Sequence, residues 1–141
     1  VDQYLRAVGL DPAGGSFAWC AAFVYWCFDQ AAHGLGRGNP VVRTAGVLDH
    51  WRRAERAGVR RLPAADAVGD PGLVHPGMIF VLDFGAGAGH TGFVESVAGG
   101  RLVTLEGNTN DGGSREGVGV FRRTGRKLVS INRGFIDYAG R

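Results

Sequence analysis

The sequence predicts an α+β fold in which N-terminal helices pack on an antiparallel sheet. Apolar residues recur at helical spacing up to about residue 57, and short period-two runs take over from about residue 78. Gly-, Asn- and Asp-rich turns separate those runs closely. Helices first and strands afterwards argue against repeated βαβ units. The 141 residues suit one domain, 1–141, and nearly half are apolar, enough to bury a real core. The 25 glycines fall between the expected elements, as tight turns require.

Residues 2–8 read as a short helix, ended by Gly9 and the Asp11-Pro12 turn. The strongest helical segment runs from Phe17 to Ala32, with Ser16 as the expected N-cap and Gly34 and Gly36 as the stop. It is apolar nearly all round, so a central, buried position is expected. A further helix is expected from Arg43 to Ala57, with Val47, Leu48 and Trp51 as its stripe and Arg52, Arg53 and Arg56 off it. Pro63 to Pro76 reads as a loop. The expected strands are Met78 to Phe84, His90 to Val97, Arg101 to Glu106, Gly117 to Arg123 and Arg133 to Tyr138.

The net charge is +3, gathered in two basic groups: Arg52, Arg53, Arg56, Arg60 and Arg61, and Arg122, Arg123, Arg126 and Lys127. Such groups suit either a solvated surface or an anionic partner. No RNA-binding aromatic signature or recognition helix accompanies them, so nucleic acid is not expected. No apolar run reaches transmembrane length, so no membrane insertion is expected. Val1-Asp2-Gln3 has neither an initiator Met nor a signal-peptide layout, which leaves the export route unread.

Both cysteines, Cys20 and Cys27, fall on the long helix. Seven residues of helix separate them by about 10 Å of rise, too far for a disulfide. Cys20 lies in the first turn, where unpaired N–H groups and the helix dipole favour a thiolate. Cys27, within Tyr25-Trp26-Cys27-Phe28, reads as a small core residue. Position alone leaves Cys20 open between nucleophile and core residue.

A thiolate hydrolase needs a base and a group that orients the base. His33, His50 and His75 have no suggestive flanks, and surface placement is expected for each. His90 differs: it follows the Gly-rich stretch Gly85 to Gly89 and opens the strand Thr91-Gly92-Phe93-Val94. Downstream, Glu106 and Asn108 in Leu105-Glu106-Gly107-Asn108 share one face of a strand, and either could hold the far imidazole nitrogen.

Register provides a sharper expectation. A two-residue Gly99-Gly100 loop would oppose Phe93 to Glu106, on the face away from His90. A three-residue loop over 98–100, or a five-residue loop over 97–101, opposes His90 to Asn108 and Gly92 to Glu106. An odd loop is therefore expected. Gly87 to Gly92 also matches the dinucleotide GxGxxG pattern, but Phe93-Val94-Glu95-Ser96-Val97 continues as a strand, so the required helix is missing.

Trp19-Cys20-Ala21-Ala22-Phe23-Val24-Tyr25-Trp26-Cys27 resembles the nucleophile helix of CHAP domains, the cysteine, histidine-dependent amidohydrolases/peptidases of the wider papain-like NlpC/P60 group. Pro76-Gly77-Met78-Ile79, followed by Gly89-His90-Thr91-Gly92-Phe93-Val94, resembles the family's histidine motif. Leu105-Glu106-Gly107-Asn108 resembles its third segment. The three blocks keep the family's order, and the similarity spans roughly residues 16 to 138.

The resemblance implies a papain-like fold, with Cys20 at a helix N-terminus packed on a bent antiparallel sheet. It implies Cys20 as nucleophile, His90 as general base, Glu106 as orienter and Asn108 as an assisting or lining residue. The Cys20 N–H is an expected oxyanion donor, with Tyr4 and Ser16 as weak candidates for a second. The implied activity is amide hydrolysis in peptidoglycan at the bacterial cell wall, either at the glycan–peptide amide or within the peptides. Other domains, or a delivery or immunity protein, are further partners it leaves room for. Met78 stands where family members often carry Asp. Some members bind calcium through acidic residues ahead of the Cys, but Ala13, Gly15 and Phe17 fill that stretch here, so no metal and no cofactor is expected. A silent wall-binding module and another papain-like acyl transferase stay open as alternatives.

Overall fold

A computed structural model of the chain describes residues 1–109 and 119–141. Helices come first: α1 (Asp2–Ala7), α2 (Cys20–Gly34) and α3 (Val47–Arg56). They are followed by β1 (Arg60–Pro63), α4 (Ala64–Gly69), β2 (Ile79–Gly85), β3 (Ala88–Ala98), β4 (Arg101–Thr109), β5 (Gly119–Lys127) and β6 (Gly134–Asp137). The strands form one antiparallel sheet in the order β1-β6-β2-β3-β4-β5. The α+β expectation holds.

The period-two pattern of β2 explains the layering. Ile79 and Val81 pack with Cys20, Ala21 and Val24 of α2 and with Val47 and Trp51 of α3. Phe80 and Leu82 face the other way, into a second core with Ala67 of α4, Val94, Leu102, Leu128 and Phe135. Phe93 of β3 meets the rings of Phe23 and Phe28 on α2, at centroid distances of 6.3 and 5.7 Å. The sheet is therefore buried on both faces near β2 and β3, and its polar residues there need internal partners.

Three helical expectations need correction. α2 starts at Cys20 rather than Phe17, with Trp19 at the N-cap position and no side-chain cap, while Ser16 stands exposed. Trp19 is held by tertiary packing: its ring stacks on Tyr4 of α1 at 5.3 Å, and anchoring it there outweighs the capping preference of Ser16. Only the first turns of α2 are buried throughout; Gln30 and Ala31 are exposed. α3 begins at Val47 instead of Arg43, because Thr44 spends its hydroxyl on Asp49 and on the Gly46 N–H, bonds that compete with helix.

The expected loop from Pro63 to Pro76 contains the end of β1 and all of α4. β1 buries only Leu62, too short a pattern to read in advance, and is defined by pairing with β6. The expected strand from Gly117 is β5; its first two expected residues lie outside the described ones. The β3–β4 turn also corrects the odd-loop expectation. Ala98 pairs with Arg101 around Gly99 and Gly100, whose φ values of 57° and 74° suit the mirror-image two-residue turn. An irregularity between Val94 and Ser96 then shifts the pairing by one residue, so Val94 faces Thr104 and Phe93 faces Leu105. The bulge at Glu95 restores the register that the odd loop was expected to supply.

Candidate active site

Three elements position the expected residues: α2 carries Cys20, β3 carries His90, and β4 carries Glu106 and Asn108. Cys20 is the first residue of α2, where the intrahelical ladder opens with Phe23 N–H donating to the Trp19 carbonyl at 2.9 Å. A thiol there sits at the positive end of a fifteen-residue helix, nearer to it than the expected start at Phe17 would have put it. Cys20 lines a cleft of about 300 Å³, whose walls include Ser16, Phe17, Gly46, Val47, Gly87 and Gly89. Gly89 is required: a Cβ there would lie 2.6 Å from the Leu82 carbonyl and 3.1 Å from a Val47 methyl. Ser16 stays at this cleft, whereas Tyr4 is taken up by the rings of Trp19, Phe23 and Trp26.

His90 follows directly on that cleft wall, in β3, fully buried. Its ring lies on the Phe80 and Leu82 side of the sheet, edge-on to Phe80 at 5.8 Å. α2 packs on the other side, and Cys20 shares its cleft with Gly89, the residue before His90. Among the described residues the β3–β4 ladder ends at Phe93 and Leu105. His90 and Asn108 thus stand where the two strands have parted.

The structure joins His90 to Glu106 directly: Nε2 lies 2.8 Å from Oε1, both groups fully buried. Gly92, opposite Glu106, leaves room for it, since a Cβ there would meet the Glu106 Cγ at 3.0 Å. A carboxylate accepts only, so Nε2 carries the proton. Nδ1 has no hydrogen-bond partner among the described residues and is buried. Asn108 is nearly buried with φ at 57°, and its side chain makes no hydrogen bond to His90 or Glu106.

Glu106 has partners that sequence reasoning missed. Oε1 also accepts from Arg126 Nη2 at 2.6 Å, and Oε2 accepts from Arg126 Nε at 2.8 Å and Thr104 Oγ1 at 2.5 Å. Arg123 Nη1 lies 4.0 Å from Oε2. Burial alone would push this carboxyl up, but the bonds from His90, Arg126 and Thr104 and the charge of Arg126 outweigh it and hold the group down to about 2. Thr104 was findable, two residues from Glu106 on the same strand face. The arginines were not, because a register shift in β4–β5, where Leu102 faces Arg126 and Thr104 faces Arg123, turns both toward Glu106 despite their odd spacing.

The remaining cysteine and histidines separate clearly. Burial pushes the Cys27 thiol up to about 11, so it is a poor nucleophile. His33 and His75 are exposed as expected. His50 corrects the surface expectation: it is buried on α3, with Nε2 at 2.8 Å from the Tyr138 hydroxyl. The two cysteines are not bridged. No helix among the described residues is long and apolar enough to cross a membrane.

Comparison with known proteins adds one match: the family described as CHAP domain, over residues 12–108. No curated protein and no solved structure matches.

Proposed function

Since the chain belongs to the CHAP-domain family, which is in general one of cysteine- and histidine-dependent amidohydrolases and peptidases, we propose that it hydrolyses amide bonds of bacterial peptidoglycan by a thiol mechanism. The observation that carries this reading is the state of His90: one nitrogen is anchored on a buried carboxylate, and the other is buried with no partner among the described residues. Buried polar atoms are in the large majority hydrogen-bonded, so a buried imidazole nitrogen without a partner calls for an explanation. A base held for proton transfer needs one fixed nitrogen and one open one.

In the proposed reaction His90 Nδ1 takes the proton of Cys20 Sγ around the open end of the β3–β4 ladder. The thiolate attacks the amide carbon, a C–S bond forms, and the carbonyl oxygen becomes an oxyanion near the α2 N-terminus. On collapse the C–N bond breaks and Nδ1–H protonates the departing amine. A water then loses its proton to His90 and attacks the thioester, releasing the carboxylic acid and restoring the thiol. Glu106 keeps Nε2 protonated and the ring fixed throughout. Asn108, beside the parted strands, lines the site.

The substrate bond is either the amide joining glycan to stem peptide or one within the peptides, and the place of action is the cell wall. The test is digestion of purified sacculi by the protein and by Cys20→Ala, with the fragments identified by mass spectrometry. Cys20-dependent fragments are expected, and their new termini separate amidase from endopeptidase. A folded protein that releases nothing from sacculi of several stem-peptide types would overturn the peptidoglycan assignment.

A further inference from the structure

The carboxylate that holds His90 is itself held by a second cation. Arg126 grips Glu106 with a two-pronged contact, Nη2 on Oε1 and Nε on Oε2, and Oε1 is the same oxygen that receives His90 Nε2. The paired prongs define the carboxylate plane as one hydrogen bond cannot. Arg126 is only 8% exposed, and its guanidinium lies 5.1 Å from the centroid of Phe80, the ring that also walls His90. The contact is therefore built into the second core and is not a surface pair. Its other effect is on charge. A lone buried carboxylate beside an imidazole would strongly favour the imidazolium, and a guanidinium on the same oxygen cancels most of that pull.

We propose that Arg126 is a positioning residue of the catalytic centre: it fixes the plane of Glu106 and neutralises its charge, so that the carboxylate holds the His90 ring in one orientation. The inference rests on the reading of His90 as the base. In this role Arg126 acts through Glu106. Among the described residues, Arg123 of β5 also lies close to this pair, 4.0 Å from Oε2.

The test is the titration of His90 followed by imidazole NMR in a Cys20→Ala background, which is independent of turnover. Arg126→Gln is expected to move the His90 titration upward relative to the parent, because a cation leaves and Glu106 acts on the imidazole at full charge. Arg126→Lys keeps the charge and is expected to leave the titration near the parent value. With Cys20 restored, Arg126→Lys is expected to lower kcat roughly tenfold at unchanged KM, because one ammonium cannot define the carboxylate plane. An unmoved His90 titration in folded Arg126→Gln overturns the proposal. Should that variant not fold, parental kcat in Arg126→Lys overturns it instead. Failure to digest sacculi would sink the assigned substrate and leave the titration result standing, so the two readings fail separately.

Discussion

His90, on a strand of the sheet, and His50, on a helix packed against it, are both buried and each hydrogen-bonds one oxygen-bearing side chain, yet they are opposites in chemistry. His90 faces a carboxylate that can only accept, so its Nε2 is protonated, and its Nδ1 is buried with no partner among the described residues. His50 faces the Tyr138 hydroxyl, a group that both donates and accepts and that also receives the Val42 N–H at 3.2 Å. Burial drives the His50 pKa down to about 4, the modest attraction of Asp49 and the repulsion of Arg53 being smaller. His50 is a neutral rivet between α3, the end of β6 and the segment at Val42. Burial does not mark a functional histidine; the kind of partner does.

The largest expected difference lies in activity. His90→Gln keeps an amide donor toward Glu106 but has no titratable base, and turnover should fall by roughly a thousandfold or more, as loss of a general base does. His50→Gln should leave kcat within about threefold. Comparable losses in both variants, with both folded by circular dichroism, would erase the distinction. Glu106→Gln belongs between them: its amide oxygen still accepts from His90, so a loss of roughly ten- to a hundredfold is expected from the same sacculus assay.

Stability against pH separates the pair in the opposite sense. His50 has a folded pKa below its ordinary 6.5, so the unfolded chain binds more protons between about 4 and 6.5. Its contribution is fully present above 6.5 and is lost as pH falls toward 4, about 3 kcal/mol across that window. Urea unfolding at a series of pH values should show this slope, and His50→Leu should flatten it. Glu106 acts lower: a carboxyl held down to about 2 keeps its stabilising charge above 4.5 and loses it as pH falls toward 2. A second unfolding step near pH 2 to 4 should disappear in Glu106→Gln. An unchanged slope in His50→Leu would mean that other groups carry the acid sensitivity.

What was legible in the sequence follows from how locally each feature is determined. Cys20, His90 and Glu106 stand in short motifs whose spacing survives any detail of packing. The burial of His50 was also open to reading, since it continues the stripe of Val47, Trp51 and Ala54 at helical spacing. The start of α2 was not, because it depends on Trp19 meeting Tyr4 from another helix. The β3–β4 register was reached by a different route than the loop suggested. A two-residue turn sets one register and the Glu95 bulge replaces it. Bulges answer to twist and burial across strands, which no window of residues displays.

The smallest expected effect concerns the second basic group of the sequence, Arg122, Arg123, Arg126 and Lys127. β5 divides it: Arg126 turns inward onto Glu106, while Arg122 turns outward and pairs with Glu95, at 2.6 Å on an exposed rim. Each exposed charge keeps most of its hydration, so holding two mobile side chains together gains little and salt weakens it further. Arg122→Ala should leave the melting temperature and the sacculus activity within error of the parent, even at low ionic strength. Arg126 differs because its partner cannot return to water while the chain is folded, so removing it leaves a buried carboxylate short of hydrogen bonds. A melting-temperature loss in Arg122→Ala as large as in Arg126→Gln would show that position on β5, rather than burial against Glu106, sets the importance of these arginines.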